Sequence, residues 1–389
     1  MSLPFYWVGL FFLLLGLHPF TTYPLSLWLI RLVHRRPLFE KQARAPSFAI
    51  CVCAYNEERV IEAKVRNLLD LRGIIPGLQI LIYVDAASDR TAEILRRYED
   101  RIVLHVSPER HGKTYGMNLL VDMCNADIVV FSDANVLIDP QKLPVLSSYF
   151  ADPDVGCVLG HLVYVNGDST PTAGVGTLYW RYEEWIKQLE SDTGSAMGAD
   201  GSIFAIRRSL HHKPPDNIID DMYVSLSILC DGGRIVRAGD ILAYERSVSS
   251  FQEEYNRKVR IACQSFNVHR LLWPRLRRLD AFNLYKYGSH KFLRWNCIWT
   301  LIAGAALIDA GLFVAGHAML AVLCPLLVVG TVLIARAINV PGLTQLYEAA
   351  AAFWATGIGV IRSVRGADFQ TWTPASSVRE TVIIPDRRD

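Results

Sequence analysis

Paired cysteines, glycine-rich nucleotide loops and long runs of one charge are all missing from this chain of 389 residues. Lysine and arginine total 40 against 38 acidic residues, a net charge of +2, which gives no sign of a nucleic-acid-binding surface. The eight cysteines form no C-x-x-C pair and no metal-type spacing. That argues against a zinc module or a disulfide scaffold and for reduced thiols in a cytosolic compartment. Cys51 and Cys53 fall two apart in an apolar run, so on a strand they share a face, where packing is the ordinary use. No G-x-G-x-x-G follows the first such run and no Walker A sequence occurs. Internal repeats and low-complexity tracts are absent as well.

What is abundant is apolar residues, 51% of the chain, and they gather at the ends. Residues 5–33 contain one charge, Arg31, and are long enough to cross a hydrocarbon core, with kinks expected at Pro19 and Pro24. A cleaved signal peptide fits less well, because the start has no basic segment and no small-x-small site follows. The flanking "RLVHRR" belongs in the cytoplasm by the positive-inside rule. Ile298 to Ala315 and Ala318 to Ile334, apolar apart from Asp309, read as a membrane hairpin broken at Gly316-His317. A further stretch, Leu346 to Ile361, carries Glu348 and either spans or lies in the interface; the basic "RSVRG" and "DRRD" after it favour a cytoplasmic C-terminus and an interfacial helix.

Between these ends, residues 45–250 alternate short apolar runs with helical patterns: "FAICVCA", "NEERVIEAKVRNLLDL", "QILIYV", "RTAEILRRY", "RIVLHV", a helix near Lys113, then "DIVVFS". The βαβαβαβ order predicts an α/β fold with a mostly parallel sheet and helices on both faces. Ligands on such sheets sit beyond the carboxyl ends of the strands. Polar residues stand there: Tyr55, Asn56 and Glu57 after the first run, Asp85 and Asp89 after the second, Lys113 after the third, Asp133 and Asn135 after the fourth. Each has a plain alternative. Asp89 before "RTAEIL" suits a helix N-cap, Glu57 and Glu58 suit the first turn of a helix, and Lys113 suits solvent. Together they place carboxylates, an amide and an ammonium around one crevice, which suits a nucleotide diphosphate and its metal.

"AYNEE", "DAASD", "HGKTYGMN" and "SDAN", in this order, resemble the family 2 inverting glycosyltransferases, which have the GT-A nucleotide-sugar fold. "GADGSIFAIRR" is similar to the acceptor-side segment of that family and "IIDDMYVSLSILCDGGRI" to the start of its base-bearing helix. The resemblance covers about residues 47–270 and points to bacterial membrane-bound members, the relatives of cellulose, chitin, hyaluronan and poly-N-acetylglucosamine synthases. It implies that Tyr55 and Glu57 line a uridine pocket, that Asp85 faces the base and that Lys113 lies near the nucleotide. It also implies that Asp133 touches ribose and metal. Asn135 stands where most members have a second aspartate, so Mg²⁺ or Mn²⁺ is expected with weaker binding than a true D-x-D site gives. Asp221 matches the catalytic base, with Asp220 before it; the alternative is that both merely start a helix. Asp200 binds donor sugar or acceptor, or orders a glycine-rich turn. The processive synthases carry Q-x-x-R-W where this chain has "RKVRI" at 257–261, so Arg260 is kept for the pyrophosphate while glutamine and tryptophan are lost.

"SFQEEYNRKVRIACQSFNVHRLLW" has helical periodicity, with Tyr255, Val259, Cys263 and Phe266 on one face. Arg270, Arg275, Arg277, Arg278, Lys286, Lys291 and Arg294 follow, the profile of a segment on an anionic membrane surface. The expected organisation is an anchor at 1–44, a cytosolic GT-A domain at 45–250, an amphipathic helix and basic loop at 251–294, a transmembrane hairpin at 295–337, and an interfacial or spanning helix with a basic tail at 338–389. The expected function is metal-dependent hexosyl transfer from a UDP-sugar to a lipid-linked or glycan acceptor at the inner face of a bacterial cytoplasmic membrane. Two alternatives stand beside it: chain elongation with export through an oligomer or partner, and a non-catalytic nucleotide-sugar sensor.

Overall fold

The computed structural model describes residues 2–38, 46–167, 169–337, 342–371, 376–380 and 382. The expected boundary at 44/45 and the basic "DRRD" tail lie outside them. At the N-terminus, α1 (Leu3–Leu17) ends in a short 3₁₀ turn, His18–Phe20, and α2 (Thr22–Val33) begins after a break at Thr21. The prolines act as expected by dividing the apolar run, each sitting in the first turn of the piece that follows.

The central unit then runs β1 (Phe48–Ala54), α3 (Ile61–Ile74), β2 (Gln79–Asp85), α4 (Thr91–Arg96), β3 (Val103–Ser107), α5 (Lys113–Met123) and β4 (Ile128–Ser132). It continues through β5 (Leu137–Ile138), α6 (Leu146–Tyr149), β6 (Val155–Tyr164), α7 (Pro171–Asp192), β7 (Ile203–Arg207), α8 (Asp220–Cys230) and β8 (Arg234–Glu245). The strands form one sheet in the order β3-β2-β1-β4-β7-β6-β8-β5. β3, β2, β1 and β4 pair in parallel, as the βα alternation requires, and β6 also pairs in parallel with β8. β7 runs antiparallel to both β4 and β6, so the sheet is mixed. Side chains of β1 alternate between two cores: Phe48, Ile50 and Val52 meet Ile61 and Leu68 of α3, while Ala49 and Cys51 meet Met117 and Leu120 of α5. Cys53 packs on the Cys51 side, as expected, and no described cysteine is bonded to another.

Beyond the sheet come α9 (Phe251–Leu276), α10 (Ala281–Tyr287), α11 (Leu293–Val314), α12 (Ala318–Ala337) and α13 (Leu343–Val364). Among the described residues three stretches are long and apolar enough to cross a membrane: Leu3–Phe20, Ala281–Val314 and Ala318–Arg336. α11 and α12 form the expected hairpin, and α1 lies along α11 with Gly9 and Gly304 at the contact. α13 packs against α9 and α11.

One expectation is corrected. Residues 281–294, assigned to the basic loop that closes the 251–294 segment, are helical and run into α11, and three of their cations, Lys286, Lys291 and Arg294, are not on a surface. Lys286 is fully buried and donates to the Ser195 carbonyl at 2.7 Å. Arg294 pairs with Glu183 of α7, Lys291 stands 3.8 Å from the same carboxylate, and His290 bridges Glu183 and Glu190 through its two ring nitrogens. Buried charges require partners, and α7 supplies them, which couples the sheet domain to the apolar helices. Arg270 and Arg275 are also engaged, with the Ser363 carbonyl and Asp231. Arg277 and Arg278 remain exposed.

Candidate active site

The parallel strands deliver their C-terminal loops to one edge of the sheet. Two residues there hold left-handed backbone without being glycine: Asn56 after β1, at φ 54°, and Ala86 after β2, at φ 50°. Such conformations persist only where surroundings over-determine them. Asn56 shows how: its amide oxygen accepts from the Ser88 N–H at 2.9 Å and its amide nitrogen donates to the Ser88 hydroxyl, so the two loops are stitched together. Asp89 adds to the seam. It accepts from the Thr91 N–H at the start of α4 and from the Glu58 N–H of the first loop at 3.0 Å; the N-cap position expected for Asp89 is taken by Arg90, one residue later. The expected helix at "NEERV" therefore starts only at Ile61, the intervening residues being spent on these turns.

Asp85, at the end of β2, is buried and accepts from the backbone N–H groups of His111 and Gly112. Gly112, at φ 91°, takes a turn that a side chain would strain. The turn starts α5 at Lys113 and aims that lysine across the crevice. Beside it the Arg110 guanidinium lies over the Tyr55 ring, 3.5 Å from its centre. An aromatic face, a guanidinium and a carboxylate thus line one wall.

The centre of the site is defined by Gly201. A methyl placed on its Cα would stand 3.0 Å from Lys113 Nζ, 3.1 Å from Asp221 Oδ2 and 3.7 Å from Asp133 Oδ2. Three functional groups from α5, α8 and the end of β4 therefore meet around one small space. Lys113 Nζ donates to Asp133 Oδ1 at 2.7 Å and lies 3.9 Å from Asp220 Oδ2. Burial pulls the Lys113 ammonium down, but Asp133, Asp220 and Asp221 outweigh it and hold the group charged well above its ordinary range. Asp221 moves the other way: burial first, then Asp220, push its carboxyl up to about 8, against the pull of Lys113. Gly201→Ala is expected to lower turnover by about 10-fold to 100-fold, since the methyl must displace the lysine or the Asp221 carboxylate. Kinetics of that variant, with donor binding measured separately, check it.

Asn135 does not continue the strand; β4 ends at Ser132 and residues 133–136 turn. Its amide nitrogen donates to Glu245 Oε1, at the end of β8, at 2.8 Å, which turns the amide oxygen away from that carboxylate. Burial and then Asp133 raise Glu245 to about 7. Beneath the turn, fully buried Lys64 donates to the Ser132 hydroxyl and the Val136 carbonyl; burial lowers it to about 7. Among the described residues no group of three histidine, cysteine or acidic side chains stands ready to hold a metal unaided. The donors present, the Asp133 carboxylate and the Asn135 amide oxygen, suit a hard cation that arrives with further oxygens of its own ligand. Two carboxylate oxygens at the site, Glu57 Oε2 and Asp220 Oδ2, are buried without a hydrogen-bond partner, which fits a place completed by a ligand.

The remaining expected residues surround this centre. Asp200 accepts from Lys187 Nζ at 2.7 Å and from the Ser202 hydroxyl, so it orders the turn before β7 while staying beside Asp221. Arg260, on α9, is drawn down to about 10 by burial and Arg257, against Asp133 and Asp221. Glu57 is buried, pairs with Arg379 and is raised to about 7 by its burial. That arginine belongs to a C-terminal segment, expected only as a basic tail, that borders the site. Gln370 donates to the His111 carbonyl, Asp368 accepts from Asn217, and Val382 packs on Leu137 and Tyr244.

The structure thus gathers Tyr55, Glu57, Asp85, Lys113, Asp133, Asn135, Asp200, Asp220, Asp221 and Arg260 at one edge of the sheet. Sequence reasoning missed Lys64, Arg110, Glu245 and Arg379. Lys64 was findable, being a lysine inside the apolar stripe Ile61, Val65, Leu68, Leu71. Glu245 was too, as the acid closing the run "ILAYE".

The Glycosyl transferase family 2 profile matches residues 49–213. An N-acetylglucosaminyltransferase of Rhizobium meliloti (strain 1021) is 24% identical over 269 residues, 64% of this chain and 61% of that protein. A beta-monoglucosyldiacylglycerol synthase of Trichormus variabilis is 30% identical over 124 residues, 31% of this chain and 26% of that protein. The chain therefore spans less than two thirds of the length of these relatives. A mannosyltransferase from Pyrobaculum calidifontis, solved with GDP-Man and Mn²⁺, superposes with a TM-score of 0.71 at 19% identity, over 92% of this chain and 99% of that one. Residues 49–213 thus match a family 2 glycosyltransferase domain, and the fold that carries them is GT-A.

Proposed function

We propose that this chain transfers a hexosyl unit from a nucleotide sugar, UDP-linked, to a hydroxyl of a lipid-linked or glycan acceptor, with inversion at the anomeric carbon. The observation that carries the reading is the meeting of Lys113, Asp133 and Asp221 around the space above Gly201. The acceptor hydroxyl oxygen forms the new bond to the anomeric carbon while the bond to the diphosphate breaks. The proton passes to an Asp221 carboxylate oxygen, and the electron pair leaves with the diphosphate, opposite Lys113 and Arg260. Asp220 holds negative charge beside Asp221 and keeps it a stronger base. The Tyr55–Arg110 wall and Asp85 offer the nucleoside a flat, polar seat. Asp133 and the Asn135 amide oxygen would hold Mg²⁺ or Mn²⁺, which would supply Lewis-acid stabilisation of the leaving group.

The apolar helices support a domain attached to the cytoplasmic face of a bacterial inner membrane, where a soluble donor meets a membrane-borne acceptor. The relative that makes a glucosyl diacylglycerol, by its name, supports a lipid acceptor; the N-acetylglucosaminyltransferase supports an amino-sugar donor. The test is release of nucleoside diphosphate from a panel of nucleotide sugars by the purified full chain, with and without Mg²⁺ or Mn²⁺, in the presence of native membrane extract. Metal-dependent release from a UDP-sugar is expected; no release from any donor overturns the reading.

A pH prediction follows from Asp221. A base with a raised pKa is protonated, and idle, below that value, so activity falls as pH drops through it. The acid limb of kcat/KM is expected above about pH 6, far from the ordinary aspartate value near 4. A pH–rate profile with a limb near 4 would remove Asp221 as the titrating base.

A further inference from the structure

At the opposite end of α8 from the catalytic aspartates lies a second cavity, of about 440 Å³. Its wall includes Leu229 and Cys230, the last residues of that helix. α8 is 11 residues long, so the cavity is roughly 15 Å from Asp220 and Asp221 and forms no part of the active site. Two basic runs from distant parts of the sequence meet there: His34 and Arg36, just after α2, and Arg278, just after α9. Arg234 lines it as well.

The charges are not fully neutralised within the fold. Arg234 pairs with Asp152 at 3.1 Å and Arg36 with Asp154 at 2.8 Å, while Asp280 also lines the wall and caps α10. Arg278 is exposed and makes no ion pair among the described residues. Behind the wall, buried Lys286 donates to the Ser195 carbonyl, lies 4.8 Å from the centre of the Phe282 ring and feels the Glu190 and Asp280 carboxylates; its Nζ is 3.6 Å from where Gly194 would carry a side chain. With Arg36 and Arg234 paired and Lys286 drawn to Glu190 and Asp280, exposed Arg278 is left for a ligand at the cavity to meet.

Place and surroundings identify the occupant. The wall is built on the segments that join two candidate spans to the sheet domain: His34 and Arg36 follow α1 and α2, and Asp280 and Phe282 precede α11. Leu32 and Val33, immediately before His34, are 65% and 88% exposed, so apolar surface adjoins the cationic cavity. A soluble phosphate needs the cations and has no use for that surface; a lipid uses both. The geometry points to a binding site for the phosphate headgroup of an anionic membrane lipid, lodged between the ends of α2, α8 and α9, with acyl chains against Leu32 and Val33. The site is independent of the transferase reading and would fix the tilt of the domain on the membrane rather than present an acceptor.

The test uses the full chain in detergent, titrated with phosphatidylglycerol or phosphatidylcholine and read by native mass spectrometry. Phosphatidylglycerol should bind more tightly than phosphatidylcholine, and Arg278→Glu should weaken phosphatidylglycerol about fivefold or more. Arg96→Glu, on exposed α4 away from the cavity, should change nothing. Val33→Asn should weaken the lipid and leave any binding of inorganic phosphate unaltered. Equal affinity of the Arg278→Glu variant for phosphatidylglycerol overturns the proposal. So does inorganic phosphate that binds with the same dependence on Arg278 and displaces the lipid, which would assign the cavity to a soluble anion.

Discussion

Asp221→Asn should lower turnover by about 10³-fold and leave nucleotide-sugar affinity within a few-fold of the parent chain, because a positioned general base contributes about 10² to 10⁴ in rate. The two effects separate for a structural reason. Asp221 is 8% exposed, close to the place where a reacting atom can sit, but it belongs to α8, whereas the nucleoside wall is built from the loops after β1, β2 and β3. The asparagine keeps the shape and stays neutral at every pH in a site that receives a diphosphate, so donor binding is unchanged below the Asp221 pKa and unchanged or tighter above it. Turnover assays on the purified variant, paired with calorimetric titration of the donor nucleotide, decide it. Undiminished turnover would take Asp221 out of the mechanism; loss of binding together with turnover would make it a structural residue.

Lys113→Met should be nearly as damaging, with kcat/KM reduced about 10²-fold to 10³-fold, the usual consequence of removing one preorganised donor from developing anionic charge. Here a second effect distinguishes the variant from a simple loss of phosphate contact. Lys113 is the cation that offsets Asp133, Asp220 and Asp221. Without it the carboxylates repel one another and Asp221 becomes harder to ionise, so the acid limb of the pH–rate profile moves upward. The sign follows from the ammonium's present pull, which lowers the Asp221 value. A profile with an unmoved limb would show that Lys113 and Asp221 are not coupled in solution.

Much of this was legible in the sequence, and the reasons for the rest are physical. β1 to β4 and their helices were readable because each strand is a continuous apolar run bounded by polar residues, which a doubly covered parallel strand requires. Lys113 and Asp133 were readable as polar residues beyond apolar runs, whereas Asp221 was singled out only by the resemblance of its segment to the family's base-bearing helix. Asn135 was readable as a departure, though not its hydrogen bond to Glu245, since that partner comes from a strand 110 residues later. The arginines and lysines of 286–294 misled because charge in a sequence looks the same whether it faces lipid headgroups or a buried acid. Their partners, Glu183 and Glu190, lie about a hundred residues upstream in α7. Arg379 was invisible for a similar reason: nothing local marks a tail residue as the partner of Glu57.

The proposed chemistry is a single displacement in which one carboxylate takes the acceptor's proton while the diphosphate departs on the other side. The anomeric configuration of the product, read by NMR from an α-linked nucleotide-sugar donor, tests this most directly. A β-linked product is predicted; an α-linked one would require two displacements or attack from the leaving-group side and would contradict the role given to Asp221.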